Sequence, residues 1–242
     1  GLKGTVLLSP NGINFFLAGT EESTNSFLSH LESDERLAGI PVKLSHTEYQ
    51  PFRRMLVKRK REIISLGVDD IRPVEFTGPH IPPKEFKRML EGGDDVVVLD
   101  ARNDYETRVG MFKGAVDLGI ASFREFPEAI EDLPDEYRSK TVVMYCTGGI
   151  RCEKASAVML KAGFEDVRQL EGGILGYFEE CGGTHWSGDC FVFDQRVALD
   201  HQLEETDVVM CFRCREPLSA EEQLSELYVI NQHCPYCVTD ER

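Results

Sequence analysis

The sequence predicts an α/β protein: a parallel sheet flanked by helices, preceded by a small α+β domain and followed by a cysteine-rich tail. Three observations carry this. Between residues 84 and 184 short apolar runs such as Val96–Asp100 and Thr141–Tyr145 alternate with helical stretches, the pattern of a parallel sheet covered on both faces. Residues 4–18 read instead as two strands joined through a Pro-Asn-Gly turn, the short-range signal of a hairpin. Beyond Trp186 the chain turns acidic and extended and ends in two Cys-x2-Cys pairs.

The elements follow in order. After the hairpin, Thr20 is placed to cap a helix over Glu21–Leu31, with Glu21 and Glu22 in its first turn and Phe27, Leu28 and Leu31 at helical spacing. Strands are expected near Val42–Tyr49 and Met55–Leu66, which makes residues 1–71 an α+β domain. Four prolines between Arg72 and Pro83 resist regular structure, so 72–83 reads as a linker. The α/β domain, 84–184, then runs helix Lys84–Leu90, strand Val96–Asp100, a helical stretch Glu125–Asp132 and strand Thr141–Tyr145. Helix Cys152–Ala162 comes next, stopped by Gly163, then strand Val167–Leu170 and a helix from Ile174. Residues 185–242 form a C-terminal extension.

The most informative stretch is Val142 to Cys152. The apolar run Val142–Met144 ends at Cys146, and the loop Thr147-Gly148-Gly149-Ile150-Arg151 leads into a helix. Open α/β sheets place their chemistry at the carboxyl ends of strands. In such a turn the glycines let backbone N–H groups approach an anion or a terminal sulfur, and the helix N-terminus adds partial positive charge. Both favour a thiolate, the nucleophilic form of cysteine. Cys146 is therefore the candidate nucleophile. Arg151 is equally suited to binding a substrate phosphate or holding the thiolate ionised and to bracing the loop. Cys152 invites a role as a resolving thiol, but its place at the start of a helix favours a core-facing residue. Asp100 and Arg102, at the end of a neighbouring strand, read as a structural ion pair that locks a loop, and Glu106 shares that role. Cys181, Cys190 and His185 carry no pattern of their own.

Cys146 through Arg151 resembles the active-site loop of rhodanese domains. Val96 to Glu106, with Gly110 and Gly114-Ala115, resembles the strand and Asp-x-Arg segment that opens that domain, and Leu170-Glu171-Gly172-Gly173 its closing strand and turn. Together with Cys152-Glu153-Lys154, Ile174 and Phe191-Val192-Phe193-Asp194-Gln195-Arg196, these motifs resemble the rhodanese-domain tRNA uridine hydroxylases, from about Gly4 to Val197. The resemblance implies a rhodanese fold for the α/β domain and an acylphosphatase-like, ferredoxin-like fold for the first, whose opening strand is expected to lie outside the sequence. It also implies oxygen-dependent hydroxylation of the wobble uridine of tRNA at position 5, with Cys146 active through a persulfide, molecular oxygen as co-substrate and tRNA as partner.

Cys211, Cys214, Cys234 and Cys237 have the spacing of a structural four-cysteine zinc site, and four thiolates meet the tetrahedral preference of Zn²⁺. No flavin or haem motif stands out. The eight cysteines do not read as a disulfide framework, which points to a reducing compartment, by default the cytoplasm. No stretch has the length of a membrane helix. The net charge of −15 disfavours long-range attraction to nucleic acid, yet residues 1–80 carry ten basic and ten acidic side chains. Within them Arg53, Arg54, Lys58, Arg59, Lys60 and Arg61 crowd nine positions. A solvated edge strand explains such a run, but beside the resemblance to tRNA enzymes contact with an RNA backbone is the sharper expectation. The competing functions are sulfur transfer from thiosulfate or a persulfide to a thiol acceptor, which needs only the same cysteine and cradle, and a non-catalytic zinc adaptor, which the intact Cys146 loop opposes.

Overall fold

A computed structural model describes residues 1–238, and the last four residues of the C-terminal extension lie outside the described residues. The chain divides into two compact units, 1–63 and 64–242.

In the first unit β1 (Lys3–Ser9) and β2 (Gly12–Ala18) form the expected hairpin, followed by α1 (Glu21–Glu32) and β3 (Met55–Arg59). The Thr20 hydroxyl accepts from the Ser23 N–H, so the cap read from the sequence starts α1. The strands pair in the order β2-β1-β3, with β1 antiparallel to β2 and parallel to β3. The strand expected at Val42–Tyr49 does not form, and that near Met55–Leu66 ends at Arg59. Val42, Leu44 and Tyr49 are exposed, so their spacing has no buried face to serve, and β3 already fills the open side of β1. A period-2 pattern becomes a strand only where a sheet edge receives it.

The second unit is built on a five-stranded parallel sheet. Its elements begin with β4 (His80–Ile81), α2 (Pro83–Gly92), β5 (Val96–Asp100), α3 (Asp104–Thr107), β6 (Gly110–Phe112) and β7 (Val116–Asp117). They continue with α4 (Phe126–Ala129), β8 (Thr141–Tyr145), α5 (Ile150–Lys161), β9 (Asp166–Leu170) and α6 (Gly173–Cys181). Sheet order is β4-β9-β8-β5-β7, with Val96 opposite Thr141 and Asp100 opposite Tyr145. Side-chain alternation splits each central strand between two cores. Val97, Leu99, Val142 and Met144 pack with Phe126, Ala155 and Met159 on one face. Val98, Val143 and Tyr145 pack with Phe86, Phe112, Tyr177 and Trp186 on the other. The register matters because it brings the carboxyl ends of β5 and β8, and so Asp100 and Cys146, to the same edge.

The segment read as a linker is part of this unit. Ile81 is buried in β4 opposite Leu170, and the Gly78 N–H donates to Ser156 Oγ at 2.9 Å. Residues 64–71, assigned by sequence to the first domain, also fall here, with Leu66 1% exposed in the core of the second unit. The prolines bar regular structure but not burial: Ile81 enters the core, while Val74 and Phe76 stay exposed.

The extension adds short pairs: β10 (Trp186–Gly188) on β6, β11 (Cys190–Phe191) with β12 (Ala198–Leu199), and β13 (Val209–Met210) with β14 (Pro217–Leu218). A single helical turn, α7 (Ala220–Gln223), follows. Among the described residues no helix is long and apolar enough to cross a membrane.

Candidate active site

Cys146 leaves β8 at its carboxyl end, 1% exposed, and its backbone is pinned from two sides. Its carbonyl accepts from the Ile174 N–H at 3.0 Å, and the Thr147 carbonyl accepts from Leu175, so the start of α6 sits against the loop. A Cβ at Gly173 would lie 2.4 Å from the Cys146 carbonyl oxygen, and Gly173 has φ +62°. Only glycine fits both conditions, which gives the second glycine of Leu170-Glu171-Gly172-Gly173 its physical meaning. Gly149, at φ +96°, turns the loop into α5 and donates its N–H to Cys146 Sγ at 3.1 Å.

The electrostatics favour a thiolate. The Cys146 pKa is lowered from 9.0 to about 6, first by the Cys152 thiol donating to it and then by the Arg151 charge and the N–H groups of Arg151 and Cys152, against the opposing effect of burial. Cys152 itself is wholly buried and its thiol is pushed well above its ordinary range by burial and by donating to Cys146. It faces the core from the first turn of α5, as its position implied, but it also touches the reactive sulfur, which sequence spacing did not reveal.

Arg151 does not reach toward solvent. Its guanidinium makes a two-pronged pair with Glu106, Nη1 to Oε2 at 2.5 Å and Nη2 to Oε1 at 2.6 Å, with both side chains buried. Bracing the loop, through Glu106, and holding the thiolate ionised, through its charge, are both compatible with this geometry, whereas the guanidinium nitrogens paired with Glu106 are not turned toward a substrate phosphate. Glu106 Oε2 also accepts from the Asn103 N–H. Removing either partner would leave a buried charge uncompensated, at a cost of about 3–5 kcal/mol.

Asp100 and Arg102 form the expected locked pair, with Arg102 Nη2 2.7 Å from Asp100 Oδ2 and neither exposed. Arg102 also donates to the carbonyls of Gly110 at 2.6 Å and Glu106 at 3.4 Å, and its guanidinium lies 5.4 Å from the Trp186 ring centre. The two pairs are thus linked: Asp100 holds Arg102, Arg102 touches the turn bearing Glu106, and Glu106 holds Arg151 beside Cys146.

One wall of the site was missed by the sequence reading. Phe191, whose carbonyl accepts from the Thr147 hydroxyl at 3.4 Å, packs edge-on to Tyr105 and to Phe193. Phe193 is 53% exposed, with its ring centre 5.8 Å from the Arg151 guanidinium. The turn behind it is held by the Asp194–Arg196 pair at 2.6 Å. The motif Phe191–Arg196 was visible, but nothing in its spacing tied it to a loop more than forty residues earlier. Cys190, by contrast, is inert: burial pushes its thiol to about 12.

The six cations from Arg53 to Arg61 lie in the other unit and are all exposed, on and around the edge strand β3. Cys211, Cys214, Cys234 and Cys237 converge, with all four sulfurs within 4.8 Å of one another. All eight cysteines are free thiols.

The chain matches two known families, a UPF0176 acylphosphatase like domain over residues 1–63 and a Rhodanese-like domain over residues 82–180. Among curated proteins, the tRNA uridine(34) hydroxylase of Cupriavidus necator is 51% identical over 98% of this chain and 86% of its own length. Proteins of the same name from Paraburkholderia xenovorans and Burkholderia cenocepacia are 49% and 48% identical, covering 100% and 98% of this chain and 88% and 87% of their own lengths.

Proposed function

Since this chain belongs to the tRNA uridine(34) hydroxylase family, we propose that it is an oxidoreductase that hydroxylates the wobble uridine of tRNA at carbon 5, with Cys146 as its reactive group. The observation that carries this reading is the placement of Cys146 just past the carboxyl end of β8, its sulfur accepting from the Gly149 N–H at 3.1 Å with Cys152 and Arg151 beside it, an arrangement that lowers its pKa to about 6. Uridine is electrophilic at carbon 6. Addition of a sulfur nucleophile there raises electron density at carbon 5, which takes up one atom of molecular oxygen as hydroxyl while an external two-electron donor reduces the other to water; loss of the carbon-5 proton then expels the sulfur from carbon 6 and restores the ring double bond.

Burial bears on the form of that nucleophile. With Cys146 1% exposed, its own sulfur is poorly placed to meet a base. A persulfide extends the nucleophile by one S–S bond, about 2.0 Å, toward the loop surface. The glycine-rich cradle suits such a terminal sulfur anion. A wobble base splayed from the anticodon loop would stack on the exposed ring of Phe193, since single-stranded bases are commonly held on aromatic faces. The exposed cations around β3 are the surface suited to the tRNA backbone, and a tRNA enzyme with eight free thiols suits the cytoplasm. Plain sulfur transfer would use the same thiolate but gives the basic strand and the cysteine tail no work.

Mass spectrometry of the wobble nucleoside tests the reading. In a strain lacking other routes to the modification, Cys146→Ala should abolish 5-hydroxyuridine while leaving tRNA abundance unchanged. Persistence of the modified nucleoside at the wild-type level would overturn it.

A further inference from the structure

We propose that Cys211, Cys214, Cys234 and Cys237 bind one structural Zn²⁺, and that the knuckle so formed clamps Arg108 and thereby steadies the turn that carries Glu106. The donor set fits the ion. Zn–S bonds of about 2.3 Å in a tetrahedron require sulfur–sulfur separations of about 3.8 Å. The sulfurs of Cys211 and Cys237 lie 3.9 Å apart, those of Cys214 and Cys234 3.5 Å and those of Cys234 and Cys237 3.8 Å. Disulfide bonding needs about 2.0 Å, so these are four separate thiols at the spacing of a common ligand. Each Cys-x2-Cys pair closes a tight backbone turn: the Arg215 N–H donates to the Cys211 carbonyl and the Cys237 N–H to the Cys234 carbonyl. Among the described residues, the apolar cluster around them is Leu218 with Val209 and Tyr228, too little to fold a segment without a metal.

The knuckle meets the active-site domain at Arg108, the residue that ends α3. Glu216, two residues after Cys214, pairs with Arg108 Nη2 at 2.5 Å, and Tyr236, between Cys234 and Cys237, places its ring centre 4.2 Å from the same guanidinium. Glu222 completes the clamp by accepting from the Tyr236 hydroxyl. Arg108 is two residues beyond Glu106, and its N–H closes α3 onto the Asp104 and Glu106 carbonyls. A rigid grip on Arg108 therefore holds the turn from which Glu106 orients Arg151. Arg108 is a positioning residue. It touches none of the reacting atoms.

The full chain, purified without chelator, tests the proposal by metal analysis and by the pH profile of Cys146 alkylation with a small reagent. The groups facing Cys146 are Arg151, Cys152 and Cys190, with Glu106, Asp100 and Arg102 behind them. About one zinc per chain is expected, released by a thiol-blocking mercurial together with four titratable thiols. Less than half a zinc per chain, or iron in its place, would overturn the metal site. Arg108→Ala should retain the zinc yet shift the alkylation midpoint of Cys146 upward by at least half a pH unit, with Arg108→Lys intermediate. A midpoint unchanged in both variants, with zinc retained, would overturn the clamp. Neither readout depends on the tRNA reaction, so failure here is distinguishable from failure of the proposed function.

Discussion

At the scale of single residues, Cys152 decides how reactive Cys146 is. The largest single influence lowering the Cys146 thiol is the hydrogen bond from the Cys152 S–H, with the Arg151 charge second among the favourable influences. Cys152→Ala removes that donor and keeps the buried volume small, so the Cys146 pKa should rise from about 6 toward its ordinary 9. The sign follows directly: the wild-type thiol is mostly ionised at pH 7, whereas the variant is mostly protonated there. Alkylation of Cys146 at pH 7 should fall by roughly tenfold for each unit of rise above neutrality, while rates above pH 9 converge. Because the folded thiol titrates below its unfolded value, its ionisation also favours the fold above about pH 9, a contribution lost as pH falls through about 6. An alkylation midpoint that stays near 6 in the variant would reduce Cys152 to a packing residue.

At the scale of elements, the loop's shape is set as much by α6 as by the cradle itself. The start of α6 donates N–H groups to the carbonyls of Cys146 and Thr147, and Gly173 is the residue that permits the approach. Gly173→Ala places a methyl 2.4 Å from a backbone oxygen in a left-handed conformation, a cost of at least about 1–2 kcal/mol before the backbone moves. Lower thermal stability together with slower Cys146 alkylation is expected, measured by a melting curve and the same reagent. Unchanged values in both would mean that α6 does not shape the loop. The elements legible in the sequence were those whose signals are local. The ends of β5 and β8 came from apolar runs bounded by polar turns, and the start of α1 from its Thr20 cap. What was not legible depends on distance along the chain. Glu106 and Arg151 are 45 residues apart, and their pairing exists only because β5 and β8 lie side by side in register. Phe193 reaches the loop through a further turn that no periodicity announces. The missing strand at Val42–Tyr49 is the converse: a correct local pattern with no sheet edge to receive it.

At the scale of the whole molecule, charge is divided between the units in a way that opposes a simple reading of the total. The net charge is −15, yet the first unit, residues 1–63, holds nine basic and seven acidic side chains, among them the six exposed cations around β3. A polyanion such as tRNA is repelled by the rest of the chain at long range, so local cations must supply the attraction that binding requires. Neutralising phosphates releases condensed counterions, and each contact adds a slope of about −0.7 to −0.9 to the dependence of log affinity on log salt. Arg59 and Arg61 are both exposed. The double reversal Arg59→Glu with Arg61→Glu should therefore weaken tRNA binding by at least tenfold at low salt and flatten the slope by roughly 1.5. The melting curve and Cys146 alkylation should stay at wild-type values, because both cations lie outside the unit that holds the thiol. Filter binding across a salt series measures both affinity and slope. A parallel salt dependence with unchanged affinity would show that β3 carries its charges only to keep a sheet edge solvated, and that the tRNA backbone is held elsewhere.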